Sequence, residues 1–387
     1  MVFFIRGNIM KEFKNFDLEE SLIIKFRKLF ESYGYEKIKV NTFENYDTYF
    51  KNKDIINNEK VLKIIHPNGS LYALRADMTM IIAKKFANDF QNKNINISEK
   101  VYYYDNIFRN EFGINGGLKE KRQVGIESLG TNGIFSDVET IILALNSLEA
   151  VTNNYILEIS NIELLKNIFE NINISEDNKN IILKFIFTKN RDELLKLLNK
   201  LNISDTYKNI IYDITTCYGN IDDILNNLSK YNELENSLNY FKNLKLYIND
   251  SQLNKIKINF SISNSLEYYT GLILQGFIED INNPIIIGGR YDNLSKRFGK
   301  AFPAIGFAID LDSLVEKLDI KHHLADYLIF YTEESIEFLQ YIENLRKEGK
   351  TVKISPYIEL SDEIIEKLHK KYKNICKYTG GELISCI

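Results

Sequence analysis

Between Val151 and Asn254 the chain holds a single glycine, Gly219, while apolar residues recur there at helical spacing. Ile162 to Glu170, Asn178 to Phe187, Arg191 to Leu201 and Asn232 to Tyr247 each carry such a stripe. On either side the pattern changes to short runs suited to strands. Residues 151–254 therefore read as an all-helical insertion in a sheet assembled from both flanks.

The first flank opens with a helix. Asp17 can cap it, Glu20 completes a capping box, and Leu18, Leu22, Phe26, Leu29, Phe30 and Tyr33 form a stripe that Gly34 ends. Tyr35 to Val40 alternates as a half-buried strand does. Further strand-like runs lie at Val61 to Ile65, Leu71 to Arg75, Lys100 to Phe108 and Arg122 to Leu129, with a helix predicted over Ala76 to Asn88. The second flank resumes with strands at Lys257 to Ser263, Gly271 to Phe277 and Pro284 to Ile287, then a Leu-rich helix from near Asp310. Several strands with few helices predict an α+β core, residues 1–150 and 255–322, on an antiparallel rather than a doubly wound sheet. Past the hydrophilic stretch Lys321 to Leu324, residues 323–387 alternate strand and helix as a short α/β module.

Composition narrows the function classes. Formal net charge is −4, which argues against a broad nucleic-acid surface. Cys217, Cys376 and Cys386 are too few and scattered for a disulfide framework, and His66, His322, His323 and His369 show no metal-ligand spacing with them. No apolar run reaches membrane length, and Met1 to Met10 is too short for a signal peptide, so a soluble cytoplasmic protein is expected. Met10 is a candidate start.

Four segments carry chemistry. Leu74-Arg75-Ala76-Asp77-Met78-Thr79 ends a strand and turns into a helix. Phe108-Arg109-Asn110-Glu111 is followed, after a Gly-rich loop, by Arg122-Gln123-Val124-Gly125-Ile126-Glu127. Leu266-Glu267-Tyr268-Tyr269-Thr270-Gly271 is the third. Gly288-Gly289-Arg290-Tyr291-Asp292, with Pro303 to Ala308 behind it, is the fourth. Together they supply carboxylates (Asp77, Glu127), hydroxyls (Thr79, Tyr269, Tyr291), an amide (Gln123) and a guanidinium (Arg109). A zwitterionic amino acid needs such a set: carboxylates and amides accept from the ammonium, and arginine takes the carboxylate. Singly, each reads equally well as a strand-edge or turn residue.

Their order and spacing resemble the class II aminoacyl-tRNA synthetase fold, in its histidyl-tRNA synthetase branch, from about Glu12 to Leu318. Gly34 to Glu44 is similar to the family's first motif, with Asn41 where proline is usual. Phe108 to Glu111 and Gln123 to Gly130 are similar to the second. LEYYTG (Leu266 to Gly271) and GRYD (Gly289 to Asp292) resemble the two histidine signatures. The resemblance implies a histidine-like pocket of Asp77, Thr79, Arg109, Gln123, Glu127, Tyr269 and Tyr291, and a homodimer with Asp17 to Val40 as its seam. No metal and no cofactor are expected.

The departures matter as much. Asn264 stands where the synthetase has an arginine that aids attack on ATP. Ser313 replaces the arginine of the third motif, and Asp310 puts an acid where glycine is usual. Adenylation depends on cationic stabilisation of phosphate charge, and one such group is worth on the order of 10³ in rate. The tail from Asp326 to Ile387 has nine Lys and Arg against eleven Asp and Glu, a poor tRNA platform. Arg75-Ala76-Asp77-Met78-Thr79 is similar to the paralogue that regulates the short form of ATP phosphoribosyltransferase. That implies a non-catalytic subunit of a hetero-oligomer with the catalytic chain, in the first step of histidine biosynthesis, with histidine as effector and no tRNA. A degenerate synthetase still forming histidyl-adenylate, and an amino-acid-dependent modifier of another protein, remain the alternatives.

Overall fold

The computed structural model describes residues 18–93, 98–111, 116–262, 268–318, 325–369 and 371–385. The Asp17 cap, Asn264 to Glu267 and Lys321 to Leu324, which figure in the sequence reading, lie outside the described residues. The chain divides into two compact units, Ser21–Lys317 and Leu318–Ile387 with Met1–Glu20.

Helix α1 (18–32), of which residues 21–32 belong to the larger unit, follows the apolar stripe: Leu22, Phe26 and Phe30 are buried, and Gly34 ends it at φ +79°. Strands β1 (Glu36–Lys37), β2 (Phe43–Asn45), β3 (Lys63–Ile65) and β4 (Leu71–Leu74) come next, with the short helix α2 (Asp47–Phe50) among them. Helix α3 (Met78–Lys93) leads to a long hairpin of β5 (Glu99–Glu111) and β6 (Gly117–Leu129), and α4 (Ile134–Glu149) leads to β7 (Tyr155–Asn161). Then come α5 (Ile162–Glu170), α6 (Glu176–Phe187), α7 (Arg191–Lys200), α8 (Asp205–Thr216), β8 (Tyr218–Gly219), α9 (Ile221–Leu228), α10 (Glu235–Tyr247) and α11 (Asp250–Leu253). The unit closes with β9 (Ile256–Asn259), β10 (Leu272–Ile278), β11 (Ile286–Arg290), β12 (Ala304–Asp310) and α12 (Leu311–Lys317).

Nine of these strands form one sheet in the order β1-β5-β6-β12-β11-β10-β7-β9-β8; β2-β4-β3 form a small second sheet. Phe30 packs edge-on against Phe307 and tilted against Tyr102, with ring centroids 6.2 and 6.1 Å apart, so α1 covers one face. Helix α4 packs across β7, β10 and β12. The other face carries the site.

Two expectations need correcting. The stretch 151–254 is not all helical: β7 pairs with β10 along its whole length, from Leu272↔Asn161 to Ile278↔Tyr155. Its sequence YILEISN, with two isoleucines and a tyrosine, suits a strand and runs straight into α5, so the absence of glycine masks the change of period. The sheet is also mixed rather than antiparallel, because β1–β5 and β7–β9 are parallel pairs. Parallel neighbours need a long crossover, and the helices α5–α11 supply the one between β7 and β9.

The smaller unit holds β13 (Ala325–Tyr331), α13 (Ile336–Lys347), β14 (Val352–Pro356), α14 (Asp362–His369) and β15 (Tyr372–Thr379), with β13 parallel to both neighbours. A final strand, β16 (Glu382–Ser385), returns antiparallel through Gly380-Gly381, both at positive φ, as a two-residue hairpin requires.

Candidate functional site

Side chains alternate along a strand, so Gln123, Gly125 and Glu127 of β6 share one face of the sheet. Across the strands, Glu127 stands opposite Gly306 of β12, which stands opposite Gly289 of β11. A Cβ on Gly306 would overlap the Glu127 carboxylate and the Ile126 carbonyl. Gly289 sits at φ +154°, where a Cβ would run into the Leu272 carbonyl. The missing side chains leave a cavity of about 390 Å³ over the sheet. Asp77, Thr79, Arg109, Gln123, Tyr269 and Tyr291 line it. Glu127, only 1% exposed, is not among the lining residues; it lies buried behind Thr79 and Tyr291, whose hydroxyls donate to it.

The turn from β4 into α3 positions two of these groups. Asp77 Oδ1 accepts the Met80 N–H at 2.8 Å and so caps α3. Its Oδ2 accepts from the Arg109 guanidinium at 3.3 Å, and Arg109 Nε donates to the Ala76 carbonyl at 2.7 Å. Behind them Arg75, buried at 1% exposure, pairs with Asp105 and donates to the carbonyls of Val40, Asn41 and Asn106. Arg75 is thus a staple for the turn rather than a ligand group.

Glu127 is the electrostatic centre. The Thr79 hydroxyl donates to Oε1 at 2.6 Å, and the Tyr291 hydroxyl donates to Oε2. Burial pushes the carboxyl up to about 8; the two hydroxyl donors oppose that rise and the nearby Asp77 adds to it. Burial likewise holds the Tyr291 and Tyr269 phenols well above their ordinary value. Tyr268 stacks on Tyr291 (5.9 Å, 19°) and meets Tyr269 edge-on (4.8 Å), making an aromatic wall. A flat ring with polar edge atoms suits such a wall.

The side expected to face a phosphate looks different. Ser313 Oγ donates to Asp310 Oδ2 at 2.9 Å and Ser313 N–H to Oδ1 at 3.2 Å, so both residues are spent on the start of α12. Arg122 grips Asp312 through Nε at 2.6 Å and through its backbone N–H at 2.9 Å.

The GRYD segment splits: Tyr291 reaches the cavity, but Arg290 is buried against Asp137 (2.6 Å), Ser136 and the Thr131 carbonyl. Asp292 accepts the Ala304 N–H at 2.9 Å. Asp137 also accepts from Tyr240 of α10 at 2.8 Å, tying the inserted helices to Arg290 at the end of β11, next to Tyr291. Sequence reasoning missed Tyr103, Gln275 and Lys60 on the cavity wall. Gln275 was findable, as the one polar side chain in the apolar strand LILQGFI. Among the described residues no His, Cys, Asp and Glu group could hold a metal, and no helix is long and apolar enough to cross a membrane.

Comparison with known proteins gives a consistent picture. A family profile described as histidyl-tRNA synthetase matches residues 14–314. An ATP phosphoribosyltransferase regulatory subunit of Clostridium botulinum is 33% identical over 371 residues, covering 93% of this chain and 86% of its own. The protein of that name in Acetivibrio thermocellus is 30% identical over 348 residues, covering 87% and 82%. Among solved structures, a histidyl-tRNA synthetase from Nostoc superposes with a TM-score of 0.75 at 19% identity, covering 94% of this chain and 88% of that one. A regulatory subunit/histidyl-tRNA synthetase from Bacillus halodurans gives 0.74 at 21% identity, covering 94% and 95%.

Proposed function

Because the chain belongs to the histidyl-tRNA synthetase family, we propose that it has kept the family's amino-acid pocket and serves as the regulatory subunit of an ATP phosphoribosyltransferase in histidine biosynthesis. One observation carries this reading. Asp77, Thr79, Arg109, Gln123, Tyr269 and Tyr291 line a cavity of amino-acid size with Glu127 buried behind Thr79 and Tyr291, while Ser313 and Asp310 occupy one another where a phosphate-binding arginine would stand. In this reading no residue is catalytic. The chain activates a separate catalytic subunit, and histidine in the pocket acts as the feedback effector. Self-association through Asp17 to Val40 belongs to the same proposal. So does the lack of a tRNA role: the C-terminal unit is net acidic, and two of its lysines, Lys367 and Lys373, pair with Glu363 and Asp326.

A melting titration tests the pocket. Histidine raises the melting temperature with concentration, because a ligand that binds only the folded state stabilises it by mass action. Leucine and lysine, which cannot reproduce the ring hydrogen bonds, do much less. Glu127→Ala removes a group whose charge-assisted hydrogen bond is worth about 1.5–3 kcal/mol, so histidine affinity falls roughly ten- to a hundredfold. With the catalytic subunit, that variant still activates but needs more histidine for inhibition. A wild-type protein that ignores millimolar histidine removes the sensor role; failure to co-purify with or activate a phosphoribosyltransferase removes the regulatory one.

A further inference from the structure

The cavity contains a group that neither the protein nor the histidine signatures account for. Tyr103 of β5 is 1% exposed, belongs to the same buried cluster as Tyr291, and lines the cavity. Its hydroxyl is fully buried and has no hydrogen-bond partner among the described residues. Buried hydroxyls in folded proteins are almost always paired, so an exception needs a reason. A packing accident does not explain this one. Tyr103 stands directly opposite Gly125 in the β5–β6 register, and a Cβ on Gly125 would overlap the ring end and its hydroxyl. The sheet thus leaves a space beside the backbone that this phenol fills. Gln123 and Glu127 flank Gly125 on the same face, so the hydroxyl lies over the floor between them. In the structure the Glu127 oxygens are paired with the Thr79 and Tyr291 hydroxyls and not with that of Tyr103.

We infer that Tyr103 is a ligand-binding residue whose hydroxyl hydrogen-bonds a nitrogen of the occupant's ring and thereby selects a nitrogen heterocycle over a ring without one. This rests on the histidine reading above and adds the residue that decides specificity at the ring. Depth assigns the ring to this end. The pair that would meet an amino acid's charged groups, Asp77 and Arg109, is 21% and 29% exposed, whereas Tyr103, Glu127 and Tyr291 are at most 2% exposed. A zwitterion therefore enters ring first, and its ring stops between Glu127 and Tyr103. Empty, the hydroxyl is left unpaired; filled, it gains its only partner. A site of this design rejects an analogue that lacks the hydrogen-bonding atom more strongly than apolar contacts can.

Tyr103→Phe isolates the hydroxyl, since the ring that fills the space above Gly125 stays. Melting curves and calorimetric titrations are run on wild type and variant with histidine and with β-(2-thienyl)alanine, whose ring has similar size and no nitrogen. The ligand-free variant melts at or above the wild-type temperature, because an unpaired buried hydroxyl stabilises nothing. Its histidine affinity falls about three- to tenfold, while its affinity for thienylalanine stays within twofold of wild type. A ligand-free variant that melts clearly lower shows that the fold itself pairs the hydroxyl, and overturns the assignment. Unchanged histidine affinity, or an equal loss for both ligands, overturns it too. Those outcomes sink this inference alone, whereas wild-type protein that ignores histidine sinks the histidine reading and this inference with it.

Discussion

Purified protein supplied with histidine, ATP and labelled pyrophosphate returns no label to ATP above a heat-killed control. In that exchange the amino-acid carboxylate attacks the α-phosphorus and pyrophosphate leaves. The rate depends on cations placed where phosphate charge builds up. Here the third-motif position is Ser313, whose hydroxyl donates to Asp310 at 2.9 Å. Arg122 is committed to Asp312 at 2.6 Å, and Arg109 Nε to the Ala76 carbonyl at 2.7 Å. Asn264 removes a second cation at the level of sequence. If each missing arginine costs on the order of 10³, the two together suppress the step by about 10⁶. Restoring arginine at both positions does not recover it. The Asp310 carboxylate is fixed on the first turn of α12 and cannot swing away from a phosphate. Robust exchange by the wild-type chain would make it an enzyme and end the regulatory reading.

Wild-type protein without ligand loses stability as pH rises from about 5 to about 8, relative to Glu127→Gln. Burial raises the Glu127 carboxyl from 4.5 to about 8, so between those values the folded chain holds a proton that the unfolded chain has released. Stability then falls with rising pH, by up to about 1.4 kcal/mol per unit, and levels off above the folded value. Over the whole window the difference is on the order of 4 kcal/mol, most of it removed by the neutral amide of glutamine. Denaturant midpoints at half-unit steps of pH give the comparison directly. Parallel curves for the two proteins would mean that Glu127 is ionised in the folded state throughout. Saturating histidine should flatten the wild-type slope, since a cationic group beside the carboxylate favours its charged form.

The strongly periodic elements were legible in the sequence. Ile162 to Glu170 is the helix α5 to the residue, the runs at Lys100 and Arg122 fall inside β5 and β6, and the run Leu71 to Arg75 overshoots β4 by one residue. Tyr35 to Val40 alternates over its length yet contributes only Glu36–Lys37 to the sheet, because edge pairing with β5 is a tertiary matter. The helix α4 was passed over: nine of its residues are buried, and a helix apolar on most sides lacks a readable stripe. For the site, motif order identified the side chains that meet around the cavity. It said nothing of Tyr103, since an aromatic among three consecutive tyrosines, Tyr102 to Tyr104, carries no mark of which one faces a void. Nor did it separate Tyr291 from Arg290 in GRYD. Arg290 ends β11 and Tyr291 is the first residue beyond it, and only register across three strands shows which face holds the cavity.

The pairing of β7 with β10 also governs the order in which the chain can fold. Asn161 must find Leu272 across the helices that separate them, and β11, which ends just before Tyr291, docks next to β10. Closing a long loop adds little to the equilibrium cost, since that cost grows only with the logarithm of length. It does slow the search, because the entropy is lost before the distant contacts form. The helices α6, α7 and α8 touch mainly one another and can form from local contacts. On refolding, their amides should gain protection from hydrogen exchange before those of β7 and β10. A chain released early from synthesis would then be helical in its middle and still lack the pocket.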